Sequence, residues 1–419
     1  MAVHIVKSGE NLWTLSKMYG VTIQHIVETN GLPSVNLIVP GLALYIPDQQ
    51  PIIRYYKIKA GDTLWKLSIQ FQTSIANILT ANPGLDPNRL SIGQNINIPS
   101  PIKPRFATLG FIVPGSSPTF LTDLMEIAPQ LTYLAVAAFS FTEEGYAYVA
   151  GDDLPIVRKS TELNILPLLL IQNTTSSGFS KELAGRVLST PAYRRNLVAS
   201  LVNLALKRGY RGISVDIEFI PPPQREDFTS FLKELKAAMG SLILHVNVHA
   251  KTEDLPSNPI VGAHDYKKIG EIADIVAVMT IDYGYPGGPP DPVSPLWWIA
   301  LVVRYSLTLI PRDKLQIGLS FYGHDKISLT SRYHAVSVLA AQNLAISTGS
   351  VIEYDNAAQS PWFRFWRGTE EHIVWFEDIR SYIEKYKLID LYGLYGATYW
   401  QLSYKAPQNW AYLHKVEII

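Results

Sequence analysis

In the last three quarters of the chain, apolar residues gather in short continuous runs. Thr108–Val113, Tyr133–Phe141, Leu166–Gln172, Gly212–Phe219, Leu242–Val248, Ile275–Thr280, Leu315–Phe321 and Leu394–Tyr399 read as strands. Most are apolar throughout, as parallel strands buried on both faces are. Between them lie amphipathic stretches of helical period, such as Leu197–Arg208, Glu226–Met239 and Phe376–Tyr386. Eight strands alternating with helices over roughly 300 residues predict an α/β fold, a (β/α)8 TIM barrel spanning 104–419. A doubly wound sheet is the alternative, but no glycine-rich phosphate loop follows an early strand. The stretch from Gly323 to Ser360 is longer than one helix needs, so an insertion walling one side of the barrel is expected around 323–360.

The first hundred residues have a different rhythm. Val6–Ser16 aligns without a gap on Ile58–Ser68, at an offset of 52 positions. The same offset pairs Ile26 with Ile78, Asn30 with Asn82, Gly41 with Gly93, and Ile46-Pro47 with Ile98-Pro99. Such self-similarity marks a duplicated module. Each copy reads strand–helix–helix–strand, a small βααβ unit, over 2–48 and 54–100. The first strands are His4–Lys7 and Tyr56–Lys59; Asn11, or Asp62/Thr63, caps the helix that follows. Leu12, Leu15, Ser16 and Tyr19 share a helix face, repeated as Leu64, Leu67, Ser68 and Phe71. Trp13 and Trp65 are expected in the module cores. Residues 100–105 form a proline-bearing linker.

Composition narrows the partners. Lys plus Arg and Asp plus Glu both number 36, so the formal net charge is zero. A polyanion held by bulk electrostatics, such as nucleic acid, is not expected; a neutral polymer suits the chain better. The 23 tyrosines and 9 tryptophans suit stacking on sugar rings as well as core packing. There is no cysteine, which excludes disulfides and thiolate metal sites. The apolar runs are too short to span a bilayer. The N-terminal stretch lacks a basic start followed by a long apolar run, so no cleavable signal peptide is expected. No cofactor and no metal are expected, and the chain reads as a monomer.

The chemistry concentrates in Arg211–Phe219. Alternation places Ser214, Asp216 and Glu218 on one strand face, and Ile213, Val215, Ile217 and Phe219 on the other. Two carboxylates at the end of an apolar strand are costly to bury unless paired or put to work. By themselves they fit a structural ion pair as well as a catalytic one. Barrel enzymes carry functional residues where strands end. Polar residues stand at those ends: Gln172-Asn173, Asp216 and Glu218, His249, Asp282-Tyr283, Tyr322 and His324, and Trp400-Gln401. His249 and His324 have no partner at metal-ligand spacing and read as satisfied or solvated histidines.

Two resemblances organise these observations. The Gly-Asp-Thr-Leu-Trp start at 61–65, the asparagine after the second helix and the closing Gly-x-x-x-x-Ile-Pro are similar to LysM domains. That resemblance implies binding of N-acetylglucosamine-containing glycans, peptidoglycan or chitin. The groove would lie between two loops of each module. In module one these carry Gly9, Glu10, Asn11 and Leu12, with Asn30 and Gly31; in module two, Gly61, Asp62, Thr63 and Leu64, with Asn82 and Gly84. Glu10-Asn11 stands where that family usually has Asp-Thr.

Residues 211–218, Arg-Gly-Ile-Ser-Val-Asp-Ile-Glu, resemble the Asp-Gly-x-Asp-x-Asp-x-Glu motif of glycoside hydrolase family 18, the chitinase-like barrel. Ala138–Phe141, Met279–Asp282, Gly318–Gly323 and Trp400 match it further. Two LysM modules before such a barrel, with the run Val374–Asp378, resemble the spore-cortex-lytic N-acetylglucosaminidases of spore-forming bacteria. The resemblance implies a spore location and a retaining, substrate-assisted reaction. Glu218 would be the acid/base, Asp216 would hold the substrate acetamide, and Trp400 would floor the sugar. Gln172, Ser214, Asp282, Tyr283 and Tyr322 are the further substrate-binding candidates. The sequence departs from the family pattern at four places. Arg211 replaces the first aspartate, far from the chemistry, and only a structural effect is expected of it. Ser214 replaces the middle aspartate and cannot take its proton, so a simpler or shifted pH profile is expected. Ile281 replaces a tyrosine, with Tyr283 and Asp282 expected to assume part of its role. His324 stands where arginine is common. A chitinase, or a catalytically weak glycan-binding protein, is the alternative function.

Overall fold

The computed structural model describes residues 2–46 and 51–419. Pro47 and the expected module boundary at 48 lie outside them. Eight strands of the central sheet make the barrel: β1 (Arg105–Ile112), β2 (Tyr133–Phe141), β3 (Leu166–Gln172), β4 (Gly212–Asp216), β5 (Ile243–His249), β6 (Ile275–Met279), β7 (Leu315–Ser320) and β8 (Gly396–Trp400). Each pairs in parallel with its neighbour, and β1 pairs with both β8 and β2, closing the barrel. Residues alternate between two apolar layers. Leu109, Phe111, Ala135, Leu168 and Leu170 belong to the cluster inside the barrel. Leu134, Val136, Leu169, Ile213 and Val215 meet the surrounding helices. Burial on both faces is why these strands read as unbroken apolar runs.

The helices obey their end signals. Pro191–Arg208 begins on proline and stops at Gly209, whose φ is 83°. The last long helix runs Ile379–Tyr392, displaced from the expected Phe376–Tyr386. Asp378 and Ser381 form a capping box that sets its start, and left-handed Gly393 ends it.

The insertion also exceeds its expected bounds of 323–360. It is a five-stranded antiparallel lobe reaching from Tyr322 to Trp375, with the helix Val338–Thr348. The hairpin of Ser360–Arg367 and Glu370–Trp375 carries it past residue 360.

Both N-terminal modules are βααβ. Module one pairs Ala2–Ile5 with Ala43–Ile46; module two pairs Ile52–Lys57 with Asn95–Ser100. Asn11 and Thr63 cap the first helices, each accepting a backbone N–H three residues on. Glu10 and Asp62 instead tie the preceding turn, accepting from the backbone N–H of Lys7 and Lys59 at 2.7 Å. Trp13 and Trp65 are not core residues. They are 61% and 62% exposed. Each follows an inward leucine by one position, a 100° turn away, and a two-helix, two-strand module has no further layer to cover it.

Candidate active site

A cavity of about 520 Å³ opens at the C-terminal end of the barrel. Of the expected site residues, the structure brings Gln172, Asp216, Glu218, Asp282 and Trp400 together on its wall. Asp216 is the last residue of β4 and Glu218 lies two residues beyond it. The strand does not reach Phe219 as expected: Phe219 turns at φ 53°, is exposed and lines the cavity itself. Ile213, Val215 and Ile217 are buried behind.

The backbone of Glu218 is held on both sides by Asn173, buried just after β3. Asn173 Oδ1 accepts the Glu218 N–H at 2.8 Å, and its Nδ2 donates to the Glu218 carbonyl at 2.9 Å. Gln172 Nε2 donates to Asp216 Oδ2 at 2.8 Å. Tyr322 Oη donates to Asp282 Oδ1 at 2.5 Å. Burial raises the pKa of Asp216 to about 6, opposed by the Gln172 hydrogen bond. Burial, with the fields of Asp216 and Asp282 added, raises Glu218 to about 9. Desolvation in the cleft also raises Asp282. Of the two carboxyls after β4, Glu218 is thus the one held more strongly in its protonated form, and Asp216 is the more readily ionised.

Ser214, Tyr283 and Tyr322 do not line the cavity. Ser214 is fully buried one step below Asp216, with its Oγ 2.8 Å from His245 Nδ1 and accepting from Asn247 Nδ2 at 3.3 Å. Burial lowers His245 to about 3, so this network is neutral. Tyr322 meets the site through its hydrogen bond to Asp282. Tyr283 packs on Trp297 and Trp298 with ring centroids 5.1 and 5.5 Å away. Its expected place beside Ile281 assumed that strand alternation continues past β6. The strand stops at Met279 and Asp282 adopts φ 60°, which breaks the alternation. Tyr285, Pro286 and Trp298 line the cavity in its stead.

The two histidines at the strand ends meet different protein groups. His324 Nδ1 donates to the Gly284 carbonyl at 2.9 Å, tying the lobe to the loop after β6. His249 lines the cavity, with Nε2 3.4 Å from Glu218 Oε2. The sequence places Asn173 and His249 at strand ends, with His249 expected to be satisfied or solvated, but shows neither one's link to Glu218, because those partners are distant in the chain. Among the described residues no three carboxylate or imidazole groups gather as a metal site.

The module residues divide by environment. Leu12 and Leu64 are buried in their module cores, and Asn30 is fully buried. Asn30 and Asn82 each bind back to the last strand of their module, at Tyr45 and Asn97. Gly9, Asn11, Gly61, Thr63 and Gly84 are exposed, and Glu10 and Asp62 half-buried. A Cβ on Gly84 would meet nothing, whereas one on Gly31 would sit 2.8 Å from Leu339 and 2.9 Å from Pro407 of the barrel domain.

Known proteins share this arrangement. The model of glycosyl hydrolases family 18 matches residues 171–405, and that of the LysM domain matches 4–47 and 56–99. The cortical fragment-lytic enzyme of Bacillus subtilis (strain 168) is 33% identical, over 99% of this chain and 97% of its own length. The crystal structure of the spore cortex-lytic enzyme SleL of Bacillus cereus superposes with a TM-score of 0.86 at 30% identity, covering 100% of this chain and 98% of that one. That of Bacillus megaterium QM B1551 SleL gives 0.83 at 31% identity, again covering 100% and 98%. With its cavity, its paired carboxyls at the end of β4 and these matches, the chain is a glycoside hydrolase that belongs to glycosyl hydrolases family 18 and carries two LysM domains at its N-terminus.

Proposed function

We propose that the protein is a retaining N-acetylglucosaminidase acting on peptidoglycan glycan strands, and specifically on spore cortex fragments, with its LysM domains holding the polymer. The observation that carries this reading is the shared cavity of Glu218 and Asp216, in which burial and the neighbouring carboxyls favour the protonated form of Glu218. Glu218 gives its proton to the glycosidic oxygen as the bond breaks. The carbonyl oxygen of the sugar's N-acetyl group bonds to the anomeric carbon from the opposite face, making an oxazolinium ion. Asp216 accepts from the acetamide N–H and stabilises that cation through the oxygen that Gln172 leaves free. Glu218 then takes a proton from water as the water oxygen bonds to the anomeric carbon and the acetamide oxygen's bond to that carbon breaks, restoring the N-acetyl group and giving net retention. This substrate-assisted route is the known exception to the two-carboxylate scheme. Trp400, 5.5 Å from Phe111 on the barrel floor, stacks beneath the sugar. Asp282 and Tyr285 border the acetamide end. The cortex-lytic names of full-length relatives support the cortex substrate and a spore location.

The test is to incubate the protein and its Glu218→Gln form with spore cortex fragments and with chitin oligomers, and to identify the new ends by mass spectrometry. Cleavage of cortex by the unaltered protein, lost by a factor of ~10²–10⁴ in the variant, supports the reading. Cleavage of chitin alone makes the protein a chitinase, and no cleavage makes it a binding protein. Activity should rise as Asp216 ionises near pH 6 and fall as Glu218 loses its proton near pH 9.

A further inference from the structure

Three carboxyls face the cavity, and two of them have a side-chain donor. Asp216 accepts from Gln172, and Asp282 accepts from Tyr322. Glu218 must lose and regain a proton in every turnover, yet its nearest donor is His249 Nε2, 3.4 Å away. We infer that His249 is the positioning residue of Glu218, donating its Nε2–H to the carboxylate during the interval when Glu218 has given up its proton. This rests on the acid/base reading of Glu218.

The surroundings of His249 suit that task. It ends β5, the strand hydrogen-bonded to β4, so it reaches the acid from the next strand end. Its ring is fixed between Phe219 and His264, with both centroids 5.5 Å away. Its backbone is held too: the N–H donates to His264 Nδ1 at 3.2 Å, and the carbonyl accepts from Tyr266 at 2.6 Å. Nε2 is buried and has no hydrogen-bond partner apart from this approach. A buried, unpartnered nitrogen aimed at a catalytic carboxyl is costly unless it forms that bond at some stage. A separation of 3.4 Å is long for the resting state, and such contacts shorten once substrate is bound.

The charges around the pair set the protonation state. Glu218, Asp216 and Asp282 lie on the cavity side. Behind His264, Lys251 donates to the His264 carbonyl and to Asp254, and Arg225 is paired with Asp254 and Asp265. Burial keeps the imidazole neutral, lowering its pKa to about 4. A neutral imidazole can donate one hydrogen bond and retain its proton. The proton of Glu218 goes to the leaving oxygen and is replaced from water, while that of His249 stays in place throughout. The donor relieves an anion formed beside Asp216 and Asp282.

The experiment compares His249→Leu, which removes the donor, with His249→Gln, which supplies an N–H at similar reach. Folding is checked by thermal melting, and kcat and KM are measured across pH on soluble cortex fragments. We expect H249L to lower kcat roughly 10- to 100-fold with KM nearly unchanged, and to move the alkaline limb upward, because an acid whose anion loses a donor holds its proton more tightly. H249Q should recover most of the rate and return the limb towards its original place. Equal losses in both variants with the limb unmoved would mean that the ring only fills space, which overturns the inference. Retained activity in Glu218→Gln under the same assay would instead overturn the acid/base assignment beneath it.

Discussion

The two LysM domains are copies of one design in two environments. Module two has a core of its own, built from Ile58, Leu64, Leu67, Phe71, Ile78, Ile96 and Ile98. The matching core of module one, with Leu12, Leu15 and Ile26, is continuous with Ala341, Ala345, Ile352 and Phe363 of the lobe and with Phe376 just after it. The copies diverge at single matched positions. Pro40 accepts the Ile352 N–H at 3.0 Å, whereas its counterpart Ile92 is 74% exposed. Asn30 receives Gln408 at 2.8 Å on its side chain and Gln342 at 2.9 Å on its carbonyl. Asn82 makes only the bonds within its module. Module two meets the barrel instead along its first strand, where Ile52 joins the barrel's apolar cluster and the fork of Arg54 binds Asp390 with two bonds of 2.6 Å. Module one is thus part of the wall of the hydrolase, and module two is a nearly self-sufficient unit held at one edge. A duplicated sequence repeats the fold of the module but not its connections, because those depend on what the rest of the chain offers to each surface.

Substitutions at matched positions test this contrast. The largest effect is expected from Leu15→Ala against Leu67→Ala. Each removes a fully buried side chain and costs about 2–5 kcal/mol locally. Only the first should lower the melting temperature of the hydrolase and its survival of heating, read by calorimetry and residual activity on soluble fragments. Equal losses would break the contrast. Gly41→Ala against Gly93→Ala comes next. The two share a positive φ, 82° and 86°, so backbone strain cancels between them. A Cβ on Gly41 would lie 1.8 Å from the Ile352 carbonyl oxygen, but on Gly93 its nearest neighbour is the Lys57 side chain at 3.7 Å. The Gly41 variant should be less stable than the Gly93 variant by about 1–3 kcal/mol in denaturant titration. Arg54→Ala should cost on the order of 1 kcal/mol and raise hydrogen exchange or proteolysis in module two alone. The smallest effect is expected at the exposed tryptophans: Trp13→Ala and Trp65→Ala should each change stability by no more than about 0.5 kcal/mol. A loss of several kcal/mol at either would restore the core role first expected of them.

Much of this molecule was legible before its structure. The barrel strands stood out because burial on two faces leaves no polar alternation, and the repeat because its spacing is constant. Asp216 and Glu218 could be paired on one face because β4 holds its period as far as Asp216. Legibility failed where the backbone leaves regular geometry. Phe219 and Asp282 take positive φ at the ends of β4 and β6, so Phe219 turns into the cavity and Tyr283 turns away from it. It failed again where contact joins distant segments, as between Asn173 and Glu218 or His249 and Glu218.

The sequence alone therefore determined the barrel, the duplicated module and the carboxyl pair, since each is written in a local period or a fixed offset. Only the tertiary structure decided which nitrogen stands beside Glu218, which aromatic rings face the cavity and which LysM copy shares its core with the hydrolase's lobe. Those are matters of close packing between surfaces far apart in the chain, where an ångström of approach or a single turned residue selects the partner.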